Sequence, residues 1–206
     1  MRKSITLLSF VFVSVLLSSP AFALFEARVS YGLLASNTDL EPLCPTCSGE
    51  APSIVPTYGL GADAILTLPF PYVPGIGLRY ENMGLTAGSG GLDFKADFTR
   101  TAVILNWRPV DGFFYLGPIL TYGISHTTKL KAEEGGTKKA DFNSDSTSSY
   151  SLGVEGGVKL IGFTLGAEAG YMDFRWNDAK DATGNAPTQD INMSGPYAKF
   201  ILGFSI

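Results

Sequence analysis

The chain has 206 residues, 45% of them hydrophobic and 17% charged, with 24 glycines and a formal net charge of -4. That length suits one domain, and a mildly acidic chain with no basic tract gives no reason to propose nucleic acid as a partner. Two cysteines and one histidine are too few ligands for a zinc centre, so neither a metal nor a cofactor is expected.

The chain opens with a basic n-region, Met1-Arg-Lys, followed by a mostly apolar stretch over 7–17 and a small-x-small site at Ala21-Phe-Ala23. This pattern predicts a cleaved secretory signal peptide over 1–23 and a mature domain over 24–206. No cysteine stands at the cut, which argues against a lipoprotein anchor. Losing Arg2 and Lys3 with a leader that carries no acid changes the formal charge from -4 to -6. Beyond the leader no apolar run approaches the roughly 20 residues a spanning helix needs. Mean hydropathy is nevertheless positive and aromatics make up 12%, which suits many twisted strands with interfacial girdles.

Eight segments alternate with period 2. The first, 25–34, sets Phe25, Ala27, Val29, Tyr31 and Leu33 against Glu26, Arg28, Ser30 and Gly32. The second, 57–68, sets Tyr58, Leu60, Ala62, Ala64 and Leu66 against Gly59, Gly61 and Asp63; the third, 76–85, sets Ile76, Leu78 and Tyr80 against Arg79 and Glu81. In the fourth, 92–107, Leu92, Phe94, Ala96 and Phe98 share one parity, whereas Val103, Leu105 and Trp107 share the other. A one-residue slip exchanges the two faces of a strand, so a β-bulge is expected near 99–101. The fifth, 114–125, turns Phe114, Leu116, Leu120, Tyr122 and Ile124 outward. The sixth, 149–160, alternates Tyr150, Leu152, Val154, Val158 and Leu160 with Ser151, Gly153, Glu155, Gly157 and Lys159. The seventh, 163–176, opposes Phe163, Leu165, Ala167, Ala169 and Tyr171 to Thr164, Gly166, Glu168 and Gly170. In the last, 197–206, Ala198, Phe200, Leu202, Phe204 and Ile206 lie opposite Lys199, Gly203 and Ser205.

Connections alternate between long and short. Residues 69–75, 108–113 and 161–162 are short; 35–56, 126–148 and 177–190 are long and polar, with a shorter one at 86–91. An apolar strand running to the chain's last residue leaves an exposed edge in a soluble sandwich, whereas a closed barrel in a bilayer has no edge and needs an apolar outer face. The expected fold is therefore all-β: an eight-stranded antiparallel up-and-down transmembrane β-barrel, with short turns and both termini periplasmic. The chain resembles the small eight-stranded outer-membrane barrels, the group that includes the membrane domain of the major outer-membrane protein. Its last strand resembles the signal read by the barrel-assembly machinery, with Phe200, Phe204 and Ile206 as the apolar positions, although it ends in Ile206 rather than an aromatic residue.

Inward charges are the first candidate site: Glu26, Asp63, Glu81, Glu155 and Glu168 against Arg28, Arg79, Lys159 and Lys199. The interior of an eight-stranded barrel is just wide enough for its side chains to fill, so these groups should pair, although the sequence leaves their partners open. Pro118, mid-strand, cannot donate to the ladder; counting back from Trp107 opposite Phe114 places Val103 across from it, beside the expected bulge. A lateral seam there is the second candidate. Cys44-Pro-Thr-Cys47, in the first outer loop, suits a local disulfide in an oxidising compartment. His126 is expected to be an exposed rim residue, since Ser125-His-Thr-Thr128 lacks the serine two residues on that lipid A deacylases carry. The third outer loop, rich in Glu133, Glu134 and Asp141, is expected to be solvated and flexible.

The function these features support is a non-enzymatic, monomeric protein of the bacterial outer membrane. It would contact lipid and lipopolysaccharide and display its loops for structural or surface-interaction purposes. The alternative is a narrow channel or a hydrophobic-ligand transport barrel.

Overall fold

The computed structural model describes residues 25–36, 55–67, 73–89, 92–134, 136–144, 147–177, 180–181 and 191–206. The signal segment and the Cys44–Cys47 pair lie outside these residues. Eight long strands form the wall: β1 (Phe25–Ser36), β2 (Val55–Leu66), β3 (Gly75–Ser89), β4 (Leu92–Asn106), β5 (Phe114–Glu134), β6 (Thr147–Leu160), β7 (Phe163–Trp176) and β8 (Gly195–Ser205). Each pairs antiparallel with its sequence neighbours. β8 pairs back onto β1, from Glu26↔Ser205 to Leu34↔Tyr197, and Phe25 and Ile206 exchange both backbone hydrogen bonds at 3.0 Å. The sheet is closed, so the apolar final strand meets a partner rather than water.

At one end, the turn end, β6 and β7 are joined by Ile161-Gly162, with φ of 46° and 84°. Positive φ at both central residues is what a two-residue type I′ hairpin turn demands, and glycine supplies the second of them without strain. Val110–Asp111, in the turn after β4, folds back to pair with Tyr115 and Leu116 of β5. At the opposite, loop end, β3 and β4 run on to the pair Ser89↔Leu92. β5 is 21 residues long, and its outer part pairs with Thr137–Ser144, which in turn pairs with Lys180–Asp181. The expectation of a flexible third loop is corrected accordingly. Its described residues are strands, because the hairpin extends the wall and buries Leu130 and Phe142.

The outward face carries the apolar belt. Phe25, Trp107, Phe114, Phe163 and Phe204 are exposed near the turn end, and Tyr31, Tyr58, Tyr80, Tyr122, Tyr150 and Tyr171 toward the loop end. Between them lie exposed leucines, valines and isoleucines, a surface suited to lipid rather than water. Above the tyrosine ring the polarity inverts: Asp93, Lys95, Asp97, Lys129 and Lys131 point out, and Phe94, Ala96, Phe98 and Leu130 point in.

This inversion corrects the bulge expected on β4. Phe94, Ala96, Phe98, Arg100, Ala102, Ile104 and Asn106 all face inward, so β4 keeps one parity throughout. Its apolar face changes because the medium outside the barrel changes from water to lipid. The irregularity lies across from it, where Thr101 pairs with Ser125 but Ala102 pairs with Gly123. Ile124 of β5 is the extra residue, and it is β5 whose parity switches.

Candidate functional site

In the belt region, ten charges among the described residues line the lumen in one alternating chain. From the turn end, Arg108 bonds Glu26 at 2.7 Å and Glu155 at 2.5 Å. Glu155 bonds Arg28 at 2.6 Å, and Arg28 reaches Asp63 at 3.0 Å. Arg79 follows, 2.8 Å from Asp63 and 2.7 Å from Glu168. Lys199 lies 3.8 Å from Glu168 and also pairs with Glu81, which closes on Arg100 at 2.8 Å. Strand register builds much of this chain directly, since Arg28, Asp63 and Arg79 are cross-strand neighbours on three successive strands. Glu155 and Glu168 also face each other. Like charges opposite one another destabilise a sheet, and the arginines between them offset that.

Arg79 is the centre of the chain. It is fully buried and donates two hydrogen bonds to Asp63 (2.8 and 2.9 Å) and two to Glu168 (2.9 and 2.7 Å). Paired parallel N–H···O bonds are the strongest arrangement a guanidinium makes. Tyr197 donates to Glu168 at 2.7 Å, and Asn106 donates to Glu155.

Two tyrosines lie over glycine pairs of β6 and β7. Gly157 faces Gly166, and Gly153 faces Gly170. A Cβ at Gly166 would overlap the Tyr115 hydroxyl, and one at Gly153 would overlap that of Tyr197. The guanidinium of Arg108 stacks on the Tyr115 ring at 4.4 Å, closing the turn end.

Above the charges sits a polar ring. Arg100 donates to Ser149 (2.7 Å) and Thr121 (2.7 Å), and Thr121 meets Ser151 at 2.6 Å. Higher still the lumen is filled by an apolar cap that includes Leu34, Met83, Leu85, Phe94, Phe98, Leu130, Phe142, Met172, Phe174, Trp176 and Met193. Phe98 and Phe174 pack with centroids 4.8 Å apart.

Several expectations change here. Arg100 and Arg108 join the charges, and Lys159 does not: it pairs with Asp111 at the turn end, partly exposed. A slip in β4 leaves the side of Arg100 undefined, whereas the single parity that β4 keeps turns it inward. Arg108 gave no periodic signal because it reaches into the lumen from a turn. His126 is not an exposed rim residue. The extra residue at Ile124 turns it inward, where Nε2 lies 2.8 Å from the Ser149 hydroxyl and the ring packs edge-on to Phe174 at 5.7 Å.

Val103 and Pro118 are not opposite each other. Val103 pairs with Tyr122, and the Pro118 carbonyl accepts from Trp107 N–H at 3.1 Å. In an antiparallel ladder a residue's N–H and C=O point to the same neighbour. The donor that Pro118 lacks is therefore missing beyond the last β4 pair, Asn106↔Ile119, and its pairing with Val154 of β6 loses no bond. In hydrogen exchange, the Val103 and Ile104 amides should be as protected as those of β6 and β7; selective fast exchange at these two would restore a seam in mid-wall.

No protein-family model matches the chain, and no curated protein matches it. Among solved structures it is similar to Neisserial surface protein A, at 13% identity with a TM-score of 0.45, covering 88% of this chain and 97% of that one. It is similar also to the outer membrane protein OprG from Pseudomonas aeruginosa, at 15% identity and a TM-score of 0.43, covering 88% and 95%.

Proposed function

We propose that the mature chain is a closed, non-enzymatic barrel of the bacterial outer membrane, with both termini periplasmic. It acts as a monomeric anchor that displays its outer loops. The observation that carries this is the lumen lining: a tyrosine-backed chain of paired charges through the belt, then a polar ring, then an apolar cap. An ion entering would have to part buried pairs and then cross an apolar layer. The apolar belt supports lipid as a partner, with lipopolysaccharide on the loop side. β8, with Phe200, Phe204 and Ile206 outward, is the segment offered to the assembly machinery. A Cys44–Cys47 disulfide would stiffen the first displayed loop.

Refolded mature protein in a planar bilayer, with folding checked separately, should be electrically silent. Steady conductance that changes in Glu168→Gln or Lys199→Met would replace the anchor with a narrow channel, the alternative reading. Replacing the displayed loops should leave permeability unchanged while removing whatever surface interaction the loops make.

A further inference from the structure

The junction between the charged lumen and the apolar cap is built around the chain's one histidine. On β5, His126 lies beyond Tyr122 and Ile124, the last apolar residues of the outward belt on that strand, and so above the membrane-spanning part of the wall. Its Nε2 meets the Ser149 hydroxyl of β6, to which Arg100 of β4 also donates, at 2.7 Å. Its ring stands edge-on to Phe174 of β7, a fully buried member of the cap. Gly123 of β5 leaves room for this contact, because a Cβ there would overlap both Ser149 Oγ and the imidazole. With Arg100 donating to Ser149, the arrangement in which the serine's own hydrogen goes to Nε2 requires a neutral ring.

We propose that His126 is an acid-sensitive latch, whose neutral imidazole closes the apolar cap onto the polar ring and whose protonation releases the cap. Among the described residues, the charged group facing the imidazole is Arg100, its pairing partner on β4. The countercharge of Arg100, Glu81 of β3, is engaged by Arg100 Nη1 at 2.8 Å and by Lys199 of β8. From β6 and β7 the ring meets a hydroxyl and a phenyl group. A second cation at this position therefore faces an existing one, and Nε2 loses its role as acceptor.

Partial burial, with a further contribution from Arg100, pushes the half-buried imidazole down to about 4. Released to water, an imidazole titrates near 6.5. Between those values the open cap binds a proton that the closed cap does not, so opening is favoured as pH falls, by up to tenfold per unit. Above pH 6.5 both states are neutral and the closed cap keeps its full advantage.

The test uses the refolded mature barrel carrying Trp107→Phe, which leaves Trp176, inside the cap, as its single tryptophan. Acrylamide quenching of Trp176 is followed from pH 7 to 4.5, and the His126 ring is titrated by NMR on the same sample. Quenching should rise severalfold on acidification, with a midpoint that coincides with the imidazole titration. His126→Gln, which keeps an acceptor for Ser149, should remove the rise. No rise in the parent protein, an equal rise in His126→Gln, or midpoints that do not coincide would each overturn the latch. If His126→Gln fails to fold, the coincidence of midpoints in the parent decides alone.

Discussion

Arg79→Met should lower the unfolding free energy of the refolded barrel by about 3–5 kcal/mol, the usual cost of removing one partner from a buried ion pair. Arg79 makes four hydrogen bonds to two carboxylates, Asp63 and Glu168, and is itself fully buried. Methionine fills much of the same volume, so the loss measures charge and hydrogen bonding more than packing. The carboxylates left behind are not equally stranded. Asp63 keeps Arg28 at 3.0 Å, whereas Glu168 keeps Tyr197 at 2.7 Å and the more distant Lys199 at 3.8 Å. Adding Glu168→Gln to Arg79→Met should therefore recover part of the loss. Arg79→Lys should fall between parent and methionine variant, since an ammonium keeps the charge but not the fork. Urea titrations in detergent read all three, and an unchanged midpoint in Arg79→Met would mean that the Arg79 pairs contribute nothing net to stability.

The second large effect is expected in the cap. Phe174→Ala should cost about 3–5 kcal/mol, the range for deleting a buried phenyl ring. Phe174 packs on Phe98 at 4.8 Å and on His126 at 5.7 Å, so the cavity would open at the junction itself. Conductance should nevertheless stay silent, because the chain from Glu26 to Arg100 still blocks the belt region. A current in Phe174→Ala would make the cap, rather than the charges, the barrier. Combining Phe174→Ala with Arg79→Met tests whether the two layers seal independently, since residues without shared partners have nearly additive effects.

The fold was legible because side-chain alternation has a period of 2 whatever the partner strand is. Tyr150, Leu152 and Val154 of β6, or Phe200, Leu202 and Phe204 of β8, declare an outward face without reference to any other strand. The bulge was not legible in the same way. A change in the apolar parity of a strand has two physical causes, a slip in the backbone or a change in the surrounding medium. Phe94, Ala96 and Phe98 are apolar and inward because the wall there stands in water around its own core, a pattern identical in sequence to a slip. Only the pairing of Thr101 with Ser125 and of Ala102 with Gly123 separates the two, and it moves the extra residue to Ile124.

Most of the lumen charges were likewise legible, because inward parity is a local property: Glu26, Arg28, Asp63, Arg79, Glu81, Glu155, Glu168 and Lys199 all lie where alternation puts them. Their partners were not. Arg28 and Glu155 are 127 residues apart in sequence, and no local rule connects them. Arg108 enters from a turn, where alternation is silent, and His126 is turned inward by a bulge on β5 that the apolar parity of β4 conceals. The sequence by itself determined which residues face lipid wherever a strand keeps one apolar parity, as in β6 and β8, because that depends only on the strand's own pleat. The tertiary structure alone decided which charges pair, where the apolar cap begins and what the histidine touches, because those contacts depend on how eight registers close around one narrow lumen.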